Sequence, residues 1–198
     1  MSIKVLAILQ ARSSSSRLPR KVLKPILGVP MILRQIEREL AVDLIDKLVV
    51  ATSTDSSDDI LVRTLEENNI SVYRGSLDNV LDRFYQCSIL FKPEHIVRLT
   101  ADCPLADPGV IDHVIQEHLE MDVDYTTNCS PPTWPDGLDV EIMKFTALAS
   151  AWREAELPSE LEHVTPFIRN HPKRFLQHNV ANKRDISNLR WTVDEPED

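Results

Sequence analysis

Four cations and four hydroxyls share one short stretch of this chain. Arg12, Arg17, Arg20 and Lys21 flank the run Ser13-Ser14-Ser15-Ser16, a set of side chains able to neutralise and hydrogen-bond phosphate oxygens. The positive charge is concentrated. The first 36 residues hold seven Lys or Arg and no Asp or Glu, whereas the remainder holds 15 basic against 31 acidic residues, a net −16 within a total of −9. An anion site is one reading of this loop, and a solvated cationic loop is the other. The glycine-built phosphate motifs do not apply, because the chain has neither G-x-x-x-x-G-K-[ST] nor G-x-G-x-x-G and only four glycines in all.

Whatever the loop holds, the preceding segment must aim it. Residues 3–9 are mostly apolar and of strand length, so the loop leaves the carboxyl end of a strand, where ligands settle in open α/β sheets. Further runs at 47–52, 70–73 and 95–99 are short and rich in β-branched residues, as buried strands are. Between them Ile32, Ile36 and Leu40, then Ile60, Leu61 and Leu65, then Val80, Leu81, Phe84, Tyr85 and Ser88 fall on single helical faces. This alternation predicts a Rossmann-like α/β three-layer sandwich around a largely parallel mixed sheet.

The second half is less regular. A helix over 110–119 starts at Asp107-Pro108, the run 130–137 breaks all regular structure, and 138–143 alternates like a half-exposed strand. A helix over about 145–157 and another after Pro158-Ser159 follow. Residues 189–193 read as a strand, and Asp194-Glu195-Pro196-Glu197 as a helix start, so a helix is expected beyond residue 198. The expectation is one domain over 1–198.

Composition excludes several classes. A pI near 5.1 argues against general binding to nucleic acid or an anionic membrane. Three cysteines without CxxC spacing indicate neither a disulfide framework nor a zinc site. With no apolar run near the roughly 20 residues of a membrane span and no signal-peptide pattern, a cytoplasmic location is expected.

The run Ala11-Arg12-x4-Arg17-Leu18-Pro19-x-Lys21-x-Leu23, followed by Gly28-x-Pro30-Met31-Ile32, resembles the signature of sugar cytidylyltransferases, which include the CMP-Kdo and CMP-acylneuraminate synthetases. Further blocks are similar to the spore coat polysaccharide biosynthesis SpsF branch. They are Tyr73-Arg74-Gly75-Ser76-x-Asp78-x-Val80-Leu81-Asp82-Arg83-Phe84, Arg98-Leu99-Thr100-Ala101-Asp102-Cys103-Pro104 and Pro135-Asp136-Gly137-Leu138-Asp139-Val140-Glu141. Glu162-His163-Val164-Thr165-Pro166 and Trp191-Thr192-Val193-Asp194-x-Pro196-Glu197-Asp198 complete the set. In that branch glycines usually stand at the positions of Ser14 and Arg20.

The resemblance implies attack of a sugar hydroxyl on the α-phosphate of CTP with loss of pyrophosphate, in surface polysaccharide or glycan biosynthesis. Arg12 and Lys21 match the positions that hold the triphosphate, with Ala11, Ser15, Arg17, Arg20 and Arg98 as auxiliaries. Asp102 and Asp194, each after a strand, resemble the paired aspartates that bind Mg²⁺. Thr52, Ser53, Arg74, Ser76, Asp78 and Arg83 are candidates for base recognition, although Asp78 can instead cap a helix beginning at Asn79 with Arg83 as its surface partner. Asp136, Asp139, Glu141 and His163 are candidates for the acceptor. The alternatives there are a solvated edge strand and a buried structural histidine. Partners are then CTP and a small sugar, with a homodimer among the expectations. A nucleotidyltransferase using another base or a non-sugar alcohol, and a non-catalytic binder on the same fold, remain as alternatives.

Overall fold

In the computed structural model residues 3–15 and 17–198 are described, and Ser16 of the serine run lies outside them. The chain runs through β1 (Val5–Gln10), a hairpin of β2 (Pro25–Ile26) and β3 (Val29–Pro30), α1 (Met31–Glu39), β4 (Lys47–Ser53) and α2 (Asp59–Glu67). Next come β5 (Val72–Gly75), α3 (Val80–Phe91), β6 (His95–Thr100), α4 (Pro108–Met121), β7 (Tyr125–Thr127) and β8 (Glu141–Lys144). It closes with α5 (Phe145–Glu154), α6 (Pro158–His163), α7 (Pro166–Arg169) and β9 (Gln177–Asn179).

Successive side chains of a strand point to opposite faces, and β1 divides accordingly. Val5, Ala7 and Leu9 enter one core, with Met31, Ile32 and Ile36 of α1, Leu61 and Leu65 of α2, and Ile111, Val114 and Ile115 of α4. Leu6 and Ile8 enter the other, with Leu81 and Phe84 of α3, Ala147 and Leu148 of α5, and Phe167 and Ile168 of α7. Three layers result, as the alternation predicts. The sheet order is β5-β4-β1-β6-β8-β7-β9, with β1, β4, β5 and β6 mutually parallel and β8 antiparallel to both its neighbours. Strand order reverses between β1 and β6, the place where a crevice opens in such sheets.

Two expected strands differ. Of 138–143 only β8 forms, and it lies between β6 and β7 with Glu141, Ile142 and Met143 buried, so it is neither half-exposed nor an edge. The preceding residues leave the ladder because the Asn128 side chain takes their backbone groups, donating to Leu138 O at 2.7 Å and accepting from Val140 N at 2.8 Å. Residues 189–193 are not a strand either. They are pinned at separate points, Trp191 N to Asp136 O at 2.7 Å and Val193 N to Asp102 O at 2.8 Å. After them Asp198 accepts from the backbone of Asp194 and Glu195 at 2.8 and 2.9 Å, closing a turn where a helix start was read.

Candidate active site

The parallel register sets Gln10 of β1 opposite both Ala51 of β4 and Thr100 of β6, so the loops leaving these strands rise from one edge. The first of them carries the cations. Its turn is made by Arg20, which adopts the left-handed conformation at φ 57° and donates its backbone N–H to Ser13 O at 2.9 Å. That backbone is the one glycine adopts without cost, so the arginine keeps the turn at some strain. Lys21 follows on a short 3₁₀ turn (Lys21–Leu23) with its side chain only 12% exposed.

Lys21 Nζ is where the distant parts of the chain meet. It donates to Asp194 Oδ1 at 2.8 Å and Val193 O at 2.9 Å, and lies 3.5 Å from Asp102 Oδ2. Arg17 adds a contact to Asp194 Oδ1 at 3.0 Å, and Arg190 reaches Asp194 Oδ2 at 3.2 Å. Burial acts to raise the Asp194 carboxyl, but Lys21, Arg17 and Arg190 outweigh it and leave it below the usual range. The segment bearing Asp194 is held in place by Gly137. That residue sits at φ +107°, where a Cβ would come within 2.8 Å of the Trp191 backbone carbon, so the 135–137 turn and the C-terminal segment touch backbone to backbone.

Asp102 and Asp194 thus present two hard carboxylate oxygens to one cationic centre. Mg²⁺ is bound through one or two carboxylates and completes its shell with phosphate oxygens and water, so the donor set fits it. Among the described residues no group of three or more His, Cys, Asp or Glu forms a metal cage.

Several candidates for base recognition are committed elsewhere. Thr52 and Ser53 are fully buried and turn their hydroxyls to Asp58 Oδ2, the former at 2.9 Å. The same carboxylate accepts from Ser13 N at 2.6 Å and so ties the cationic loop to β4. A buried carboxylate needs donors, and burial, which would raise Asp58, is outweighed by these bonds from Ser53, Ser13 and Thr52. Arg74 is likewise spent, on Ser53 O at 2.9 Å, Asp55 O at 3.0 Å and Asp59 at 2.8 Å. Asp78 is exposed and caps nothing, because Asn79 accepts from Asp82 N at 2.8 Å in its place. Ser76 accepts from Asn79 N at 3.0 Å.

Arg83 is the exception. It is 2% exposed rather than a surface partner, donates to Ser76 O at 2.8 Å, and keeps a buried Nε–H without a partner among the described residues. Burial, opposed by Asp58 and joined by Arg12, lowers its pKa to about 10. Arg83, Arg12, Ala11 and His163 line a 120 Å³ cavity beside the cationic loop. Arg12 is exposed there and forms no ion pair among the described residues. Ser15 closes the loop itself, accepting from Leu18 N at 3.3 Å.

A second cavity of 250 Å³ holds Arg98, Asp139, Glu141, His163 and Arg169. Glu141 is buried, and its carboxylate pairs with Arg98, accepts from the hydroxyl of Tyr125 and accepts from Thr165 at 2.8 Å. Burial would raise its carboxyl, but Arg98 and these hydroxyls hold it below the usual range. Asp139 is raised, by desolvation on its inner side and by the carboxylates of Asp136, Glu141 and Asp102. His163 is exposed and borders both cavities, so it is not a buried structural residue. Asp136 is apart from this group and faces Arg190 at 3.7 Å.

The reading from sequence missed Asp58, Thr165 and Arg169. Only Asp58 left a signal, lying five and six residues beyond two strand-end hydroxyls.

A family model described as cytidylyltransferase matches residues 6–194. The chain belongs to the cytidylyltransferase family. This cytidylyltransferase is 37% identical over 98% of its length to the spore coat polysaccharide biosynthesis protein SpsF of Bacillus subtilis, covering 82% of that protein. Its fold superimposes on a cytidylyltransferase from Leptospira borgpetersenii with a TM-score of 0.92 and 31% identity, covering 97% of this chain and 82% of that one. A CMP:2-keto-3-deoxy-manno-octonic acid synthetase complexed with CTP shares the fold at a TM-score of 0.74 and 16% identity, over 98% of this chain and 94% of its own.

Proposed function

We propose that this cytidylyltransferase transfers CMP from CTP to a sugar hydroxyl, releasing pyrophosphate, and that the product feeds polysaccharide or glycan synthesis. The observation that carries the reading is the meeting of Asp102 and Asp194 at Lys21 Nζ beside the cationic loop. The names of SpsF and of the synthetase complexed with CTP support the sugar and the nucleotide.

In the reaction the hydroxyl oxygen forms a bond to the α-phosphorus as the bond to the bridging oxygen breaks, and pyrophosphate departs with that electron pair. Arg12 and Lys21 hold the triphosphate and meet the charge that develops on the leaving group, with Arg17 beside them. Such preorganised charge is usually the largest catalytic term. Asp102 and Asp194 would hold Mg²⁺, which when bound supplies further neutralisation of the phosphates. Arg83 and Arg12 line one cavity and carry donors suited to the O2 and N3 acceptors of cytosine. The cavity with Arg98, Asp139 and His163 takes the acceptor. Asp139 and His163 are its groups able to receive the hydroxyl proton, since Glu141 is committed to Arg98.

Mixing the protein with Mg²⁺, each of the four nucleoside triphosphates and a panel of acidic and amino sugars tests this. Pyrophosphate should appear with CTP, and only when an acceptor sugar is present. Equal release from ATP, or release that no sugar alters, would contradict it.

A further inference from the structure

Gln35 of α1 belongs to no cavity described above, yet it contacts the turn that carries Asp102 on both sides. It is 1% exposed, and its amide has three partners. Nε2 donates to Thr100 O at 2.8 Å, and Oε1 accepts from Cys103 N at 3.1 Å. Those atoms lie two residues before Asp102 and one residue after it. The second Nε2 proton goes to Glu39 Oε1 at 2.7 Å, one helical turn along α1. Glu39 is fully buried, and its other oxygen has no partner among the described residues. One residue earlier on the same helix, Arg38 Nε donates to Ala106 O at 2.6 Å, so α1 grips the 100–106 loop at two places.

A helix interior gains nothing from burying an amide and a carboxyl where two apolar chains would pack. Deep polar groups cost free energy unless fully bonded, and here one oxygen is left unbonded. The compensation lies in what the amide fixes. The chain turns out of the sheet after Ala101, whose N–H still reaches Gln10 O at 3.1 Å, and Gln35 holds the turn on both sides of Asp102, at Thr100 O and Cys103 N.

We infer that Gln35, oriented by Glu39, is a positioning residue that sets the Asp102 carboxylate for the divalent cation. Outer partners of metal ligands typically change metal affinity by about 10–100-fold when removed. The inference rests on the assignment of Asp102 as a metal ligand.

The test is Mn²⁺ binding in the presence of CTP, read from the electron paramagnetic resonance signal of free Mn²⁺, alongside thermal unfolding. Gln35→Met should weaken Mn²⁺ by about tenfold or more. Gln35→Met combined with Glu39→Met, which also removes the stranded carboxyl and so protects the fold, should show the same loss. Glu39→Gln keeps a neutral partner for the amide and should bind Mn²⁺ as the parent does. Wild-type Mn²⁺ affinity in the double variant would overturn the inference, and a shift in melting temperature alone would assign Gln35 to packing. A parent protein that binds no Mn²⁺ with CTP would instead defeat the metal assignment itself. Should neither Met variant fold, amide exchange in the parent decides. The Cys103 N–H should exchange about 100-fold or more slower than an open amide, and free exchange would overturn the inference.

Discussion

Lys21 neutralises Asp102 and Asp194 in the free protein, and in the proposed mechanism it also meets phosphate charge in the reacting complex. Lys21→Ala should cost about 2–4 kcal/mol of transition-state stabilisation, measured as kcat/KM with CTP, the scale for one preorganised charge contact. Near-parent turnover would remove Lys21 from the mechanism. Glu141 and Asp139 form a second pair with opposite expectations. Glu141→Gln takes the charge partner from the half-buried Arg98 and leaves it only the Gln10 side chain, and breaking one side of such a pair costs about 3–5 kcal/mol. The melting temperature should therefore drop by at least about 6 °C, given about 2–4 °C per kcal/mol at this size. Asp139→Asn, at an exposed position without an ion pair among the described residues, should leave melting within about 2 °C while weakening acceptor use. Equal melting of both variants would contradict the pairing. The cations of the first loop were legible because charge asymmetry is a property of the sequence. The partners of Thr52, Ser53 and Arg74 were not legible for a physical reason: position at a strand end shows which groups can face the crevice, not which neighbouring acceptor claims them first.

The elements that carry these residues were legible in proportion to their periodicity. The strands β1, β4, β5 and β6 and helices α1 to α4 follow apolar spacing, and spacing is what both cores select. The strands β7 and β9 have three residues each, too few for a period to show. The composition of 189–193 suits a strand, but the segment is pinned by backbone bonds to Asp136 and Asp102, and the bare backbone of Gly137 permits its close approach. Gly137→Ala puts a Cβ at φ +107° against the Trp191 backbone. Strain of this kind costs about 1–3 kcal/mol, and the displaced segment carries Asp194. Thermal unfolding should show that loss together with weaker Mg²⁺ dependence, and an unchanged profile would mean the segment is held elsewhere. Helix α1 gives a pH signature. Burial, against the weaker effect of the Gln35 bond, raises the Glu39 carboxyl from 4.5 to about 8. Between those values the folded chain keeps a proton that the unfolded chain releases. Stability contributed through this group therefore falls as pH rises through that window, by up to about 1.4 kcal/mol per pH unit. Melting followed from pH 5 to 8 should decline with a slope that Glu39→Gln flattens.

Across the whole molecule, the fold brings residues far apart in sequence to one point. Residues near 20, 102 and 194 meet at the carboxyl edge of the sheet, beside the cationic loop that the proposed function assigns to the triphosphate. This convergence could be read from the sequence only through resemblance, since composition does not show that residue 194 returns to residue 21. The central claim is that Asp102 and Asp194 together hold the metal of a bound CTP. Its most direct test is a crystal of the protein grown with Mn²⁺ and a non-hydrolysable CTP analogue, with the metal located by anomalous scattering. The account predicts one peak in contact with both carboxylates and with the phosphates, and the Lys21 ammonium displaced toward the triphosphate. A peak that touches neither aspartate, or a nucleotide bound away from Arg12 and Lys21, would contradict it.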